Sequence, residues 1–121
     1  MNLDTGVILT MTAAGASTLK SVTLPNREFK GCIVGINLVT VTTATVVVHV
    51  QGQDVASGTW YDLAVSQPLT TAGFTALTIY PGLLSNSTSF PLMLPSTWQI
   101  EVVITGGSAA VTGTVGASLI Q

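Results

Sequence analysis

The stretch "TVVVHVQGQDVASGTWYDL", residues 45–63, decides the fold. Side chains alternate along an extended chain, so Val46, Val48 and Val50 share one face and Thr45, Val47, His49 and Gln51 the other. The run meets Gly52, crosses the polar segment "QDVASG" and restarts at Trp60-Tyr61-Asp62-Leu63. Gly52 and Gly58 release the chain from strand geometry, while Asp54 and Ser57 supply oxygens for turn bonds. This predicts a β-hairpin, with Trp60 packing over its end and Tyr61 on the opposite, wetter face.

Working outward, the period-two pattern recurs and helical periodicity does not. "GVILTMT" (6–12) sets Val7, Leu9 and Met11 against Ile8, Thr10 and Thr12. "TLKSVTL" (18–24) stops at Pro25, which cannot donate to a ladder. "CIVGINLVTV" (32–41) places Val34, Ile36 and Leu38 together, opposite Gly35, Asn37 and Val39. "GFTALTIY" (73–80) ends at Pro81-Gly82, a turn signal, and a long irregular connection follows. "WQIEVVIT" (98–105) is the cleanest alternation, with Trp98, Ile100, Val102 and Ile104 inward and Gln99, Glu101 and Val103 outward. Gly106-Gly107 turn the chain into "AVTGTVGASLI" (110–120), where Gly113 and Gly116 mark a bend or a close backbone approach. About eight short strands between Gly, Pro, Ser and Asn clusters predict an all-β, single-domain antiparallel β-sandwich over residues 1–121. A jelly roll suits the count and the long late connection, with Greek-key arrangements equally compatible. Residues 1–30 are open to being an N-terminal arm or swapped strands.

Composition bounds the function. Of 121 residues 47% are hydrophobic and only 7% charged, against roughly 25% charged in ordinary domains. Nineteen Thr and fifteen Val, both stiff at χ1, suit a pleated sheet. A net charge of −2 gives little repulsion between copies, which points to a homo-oligomer or a place in a larger assembly. Lys20, Arg27 and Lys30 are the only cationic residues, too few to neutralise the roughly 6–10 phosphates of a DNA footprint. Nucleic acid is therefore not an expected partner. Cys32 is the single cysteine, so no intrachain disulfide forms. The N-terminus carries Asp4 where a secretory signal carries Lys or Arg, and no run nears the ~18 apolar residues of a membrane span. Synthesis in the cytoplasm, without a membrane partner, is the expectation.

No motif carries chemistry convincingly. "DTG" (4–6) matches the tripeptide of aspartic proteases, which hold two carboxylates around one proton. It sits three residues from the first Met, with no preceding strand to build its loop, and reads better as a turn. His49 and Cys32, one of each and far apart in sequence, cannot form the usual nitrogen and sulfur metal site without a second chain. "GTVGAS" (113–118) lacks the Lys of a phosphate loop, and no Gly-x-Ser-x-Gly elbow exists. Asp4, Asp54, Asp62 and Glu101 give no carboxylate pair that sequence can place. "NST" (86–88) matches a glycosylation acceptor but reads as a polar loop. No enzyme, cofactor or metal is expected. The cationic stretch "LKSVTLPNREFKG" suits docking on an acidic patch, or is a solvated loop.

The segments "GINLVTVT", "VVVHVQGQD…GTWYDL", "LTIYPGL", "PLMLPSTWQIEVVITGG" and "GTVGASLI" carry a family resemblance. In that order they resemble small β-rich virion proteins of tailed bacteriophages, described as head decoration (cement) or minor structural proteins. The resemblance covers residues 31–120 and departs from the group at Ser96-Thr97, where its members often place basic residues before the late Trp. It implies a β-sandwich module that clusters, most simply as a trimer, on the capsid surface of the virion. Its partner would be the major capsid protein. Lys20, Arg27, Lys30, Trp60, Tyr61 and Tyr80 are the candidate interface residues. The competing readings are a tail or head–tail component, and a carbohydrate-binding module that stacks sugars on Trp60, Tyr61 and Tyr80.

Overall fold

A computed structural model of the chain describes residues 4–26, 28–106 and 108–121. They contain no helix and ten strands: β1 (Asp4–Ala14), β2 (Ser17–Lys20), β3 (Leu24–Pro25), β4 (Gly31–Thr42), β5 (Thr45–Gln53), β6 (Trp60–Val65), β7 (Gly73–Ile79), β8 (Ser89–Phe90), β9 (Thr97–Thr105) and β10 (Ala110–Ile120). Sheet A runs β1-β10-β4-β7-β8 and sheet B runs β2-β9-β5-β6, with β3 also paired to β9. All pairings are antiparallel except β7 with β8.

Eight strands remain when the two-residue β3 and β8 are set aside. The first pairs with the last (β1·β10), the second with the seventh (β2·β9), the third with the sixth (β4·β7), and the fourth with the fifth (β5·β6). Those are the pairings of one long hairpin rolled into a sandwich, a jelly roll. The count rises to ten for local reasons. "TLKSVTL" divides at Ser21, whose N–H donates to the Ile100 carbonyl (2.9 Å) while its Oγ accepts from the Ile100 N–H (3.0 Å). A hydroxyl thus stands where a ladder carbonyl would, and the strand resumes at Leu24 opposite Trp98.

The alternation fills the space between the sheets. Trp98, Ile100, Val102 and Ile104 of β9 and Val46, Val48 and Val50 of β5 face Val34, Ile36 and Leu38 of β4, Leu77 and Ile79 of β7, and Val111 and Val115 of β10, all buried. Each such aliphatic side chain stabilises the fold by about 1.5–3 kcal/mol. The Trp98 indole N–H is buried without a hydrogen-bond partner, at a cost of about 1–3 kcal/mol. The ring is kept there for its volume.

Two positions depart from the expected pattern. In β1, Val7 pairs with Gly116 and Leu9 with Val115, so Ile8 is an extra residue and the strand bulges. Ile8 and Leu9 both pack on the core and Val7 turns outward, 63% exposed. The bulge has moved Val7 to the face opposite the one its parity with Met11 predicts. Gly52, expected to end its strand, lies buried inside β5. A Cβ there would stand 2.7 Å from Pro95 and 2.9 Å from the Tyr61 hydroxyl, so glycine serves close packing. Gly113 has a similar role, as expected: it faces the register shift at Val39 in β4, and a Cβ would collide with the Asn37 carbonyl.

Candidate functional site

The outer face of sheet A is built largely from neutral residues. Register places Thr114 between Thr10 and Asn37, with Phe74 next in the row. The following row is Val7, Gly116, Gly35 and Ala76; the one after holds Ser118, Ile33 and Thr78. None of the side chains just named is charged; Asp4, opposite Ser118 at the end of the last row, is the acidic residue of that row. Val7, Ile33, Val39 and Phe74 are exposed, Phe74 at 69%. The Phe74 ring lies over Gly35, where a Cβ would be 3.1 Å from it. With no side chain at Gly35 or Gly116 the face is hollow, leaving a groove of about 380 Å³ walled by Val7, Ile33, Asn37, Phe74 and Thr114. Beyond Phe74, a second hollow of about 260 Å³ lies against Leu38 and residues 68–73. Exposed apolar side chains gathered around a groove, rather than scattered singly, are a feature of interaction sites.

Sequence reasoning missed this surface. The apolar set Leu77 and Ile79 claims the inner face of β7, and that parity alone sends Phe74, Ala76 and Thr78 outward. Val7 had no such signal, because its orientation comes from a bulge.

Sheet B has a different outer face. Gln99 Nε2 donates to Gln51 Oε1 (2.8 Å), Gln51 Nε2 donates to Asp62 Oδ1 (3.1 Å), and His49 Nδ1 lies 3.2 Å from the same oxygen. Lys20 Nζ lies 3.7 Å from Glu101 Oε2, an exposed ion pair worth at most about 1 kcal/mol. His49 stands opposite Glu101 and Gln51 opposite Gln99, so the polar groups form a ladder across β2, β9, β5 and β6. Trp60, opposite Gln53 and two residues from Asp62, shares this face and is half-buried.

The expected interface residues separate. Lys20 is on the sheet B face just described. Arg27 lies outside the described residues. Lys30 is exposed at the β3–β4 end, where its backbone N–H donates to Ile120 and its carbonyl accepts from Leu94. Tyr80 joins it there: its ring would be 3.0 Å from a Cβ on Gly31, and its hydroxyl donates to the Gln121 carbonyl (2.9 Å). Tyr61, 45% exposed, packs over Gly52 on the face opposite Trp60. The structure therefore brings Lys30 and Tyr80 together and distributes Trp60, Tyr61 and Tyr80 over three places.

Smaller motifs resolve locally. Asp4 begins β1 opposite Ser118, so "DTG" belongs to a strand and not to the expected turn. Asn86 Oδ1 accepts from the Thr88 N–H (2.9 Å) and hydroxyl (3.1 Å), so "NST" is an Asx turn. Among the described residues no group of three or more His, Cys, Asp or Glu is placed to hold a metal ion, and no helix is long and apolar enough to cross a membrane. One structural residue went unnoticed in the sequence. Buried Asn26 donates through Nδ2 to the Phe29 (2.8 Å) and Leu94 (3.0 Å) carbonyls and accepts from the Phe29 N–H (3.1 Å), tying the β3–β4 loop to the β8–β9 connection.

Compared with known protein families, curated proteins and solved structures, the chain matches no family model, no curated protein and no solved structure.

Proposed function

We propose that the chain is a non-enzymatic structural protein of a bacteriophage virion, a decoration protein that binds the assembled head shell and copies of itself. The observation that carries this reading is the outer face of sheet A, largely neutral, partly apolar and uncovered by the other described residues. Removing Val, Ile, Phe and Thr surface from water incurs little polar desolvation, so such a face suits a permanent contact. A specific contact buries about 1,200–2,000 Å² in total, within reach of a four-stranded face and its flanking loops. The sequence resemblance over residues 31–120 supplies the viral setting and the major capsid protein as partner.

Purified virions test the reading. Mass spectrometry and electron microscopy are expected to find the chain on the shell at a copy number comparable to the capsid protein. Absence from the particle rejects the proposal, and a few copies per particle reassigns it to the tail or head–tail junction.

A second reading, carbohydrate binding, is favoured by the sheet B ladder, where two amides and a carboxylate line up beside the Trp60 indole. Glycan-array binding that disappears in Trp60→Ala and in Asp62→Ala, with the fold intact, would establish it.

A further inference from the structure

Four strand edges limit the two sheets, and three of them carry devices that discourage pairing with another chain. The β1 edge has two register irregularities. The β2–β3 edge has Lys20 and Pro25. The β6 edge has Asp62 and a bulge at Leu63. Charges, prolines and bulges are the ordinary protections of an edge. The fourth edge, β7, has none of them. Its register with β4 is unbroken from Gly73 to Ile79, and β8 covers it only at Thr78 and Ile79. From Leu63 to Ile100 the sequence holds 38 residues without a charge.

The direction of the free groups follows from the pairs that are made. Thr78 N–H donates to the Thr88 carbonyl (2.8 Å) and Tyr80 N–H to the Phe90 carbonyl (3.1 Å), both away from β4. Backbone groups alternate sides along a strand, so those of Phe74 and Ala76 also point away from β4, where none of the described strands lies.

We propose that residues 73–77 of β7 pair antiparallel, across a twofold axis at Thr75, with the same residues of a second copy. In that register Phe74 stands opposite the partner's Ala76, Gly73 opposite the partner's Leu77, and Thr75 opposite the partner's Thr75. Every pair joins a large residue to a small one, apart from the Thr pair, which suits a strand interface. Phe74 and the partner's Ala76 exchange two backbone hydrogen bonds, and the symmetric pair exchanges two more. No charge opposes another across the axis.

The paired edge and two phenyl rings bury less than the ~1,200 Å² at which stable interfaces begin, so the contact is weak and reversible in solution. It gains strength where copies are already held side by side, because pairing then becomes intramolecular. Its biological setting rests on the shell-binding reading, where it would join one cluster of copies to the next. The contact itself requires only the purified chain.

Oxidative cross-linking at millimolar concentration tests it. Opposed residues at a non-hydrogen-bonded site have Cα atoms about 4.5 Å apart, within disulfide reach. Thr75→Cys should therefore give a reducible covalent dimer. Phe74→Cys, whose copies stand about 7–8 Å apart on the diagonal, should stay largely uncross-linked. Native Cys32 is fully buried and contributes no background. Ala76→Pro removes an N–H that points away from β4, so the fold is retained while pairing should weaken by about tenfold or more. Where that variant fails to fold, Phe74→Lys replaces it. A folded Thr75→Cys that does not cross-link overturns the proposal, as does cross-linking that persists undiminished with Ala76→Pro or Phe74→Lys. Neither result bears on whether the chain is found in virions.

Discussion

Cys32 and Asn26 occupy the interior for opposite reasons. Burial between the sheets pushes the Cys32 thiol up from its ordinary value near 9 to about 12. A covered, protonated thiol is a poor nucleophile. Ellman's reagent should leave the native protein unmodified at mildly alkaline pH and titrate one thiol per chain once urea unfolds it. The unfolded thiol releases its proton at lower pH than the folded one, so stability from this group is intact below pH 9 and declines as pH rises from 9 towards 12. Cys32→Ala should flatten that alkaline decline in urea melts. Asn26 is buried because it is fully bonded. Asn26→Ala should cost about 2 kcal/mol of unfolding free energy. Asn26→Asp should cost more at neutral pH, since a carboxylate would face the Phe29 and Leu94 carbonyls, and should recover on acidification as a protonated carboxyl donates again. The burial of Cys32 follows from its parity with Val34 and Ile36 and was legible in the sequence. The role of Asn26 was not, because its partner Leu94 is 68 residues away.

Elements divide by whether their pattern is interrupted. β9 was legible in its facing: four inward apolar positions, each at most 1% exposed, alternate with Gln99, Glu101 and Val103, of which Gln99 is nonetheless buried. β1 was legible as a strand but not in its facing, since an inserted residue shifts parity without altering composition. In the β5–β6 hairpin both glycines were seen, but only Gly58, with φ of 76°, acts through backbone freedom. The turn is held by Asp54, whose carboxylate accepts from the Ser57 hydroxyl (2.6 Å) and N–H (3.1 Å). Those bonds hold the Asp54 carboxyl below its ordinary value. Its contribution is present above the ordinary carboxylate range and is lost as pH falls through the lowered value. The difference in melting temperature between wild type and Asp54→Asn should accordingly be largest at neutral pH and close in acid.

At the scale of the whole molecule, Lys20–Glu101 is the one ion pair between a Lys or Arg and a carboxylate among the described residues. Melting temperature should then move by no more than about 2 °C between low and molar sodium chloride, where a charge-rich domain would respond more strongly. The strands themselves were legible in the sequence; their neighbours were not. Alternation identifies a strand and its faces, whereas the partnership of β1 with β10 joins residues as distant as Asp4 and Ser118 and has no local signature. That arrangement also governs how the molecule is made. β9 lies between β2 and β5, and β10 between β1 and β4, so the two latest of the ten described strands are the middle planks of their layers. A nascent chain cannot close either layer before these two strands emerge, so a product halted before residue 97, which of the strand pairings retains only β4·β7, β5·β6 and β7·β8, should show no cooperative thermal unfolding. Such a truncated copy, with the inner faces of both layers uncovered, should be cut by proteases far faster than a chain that holds both strands.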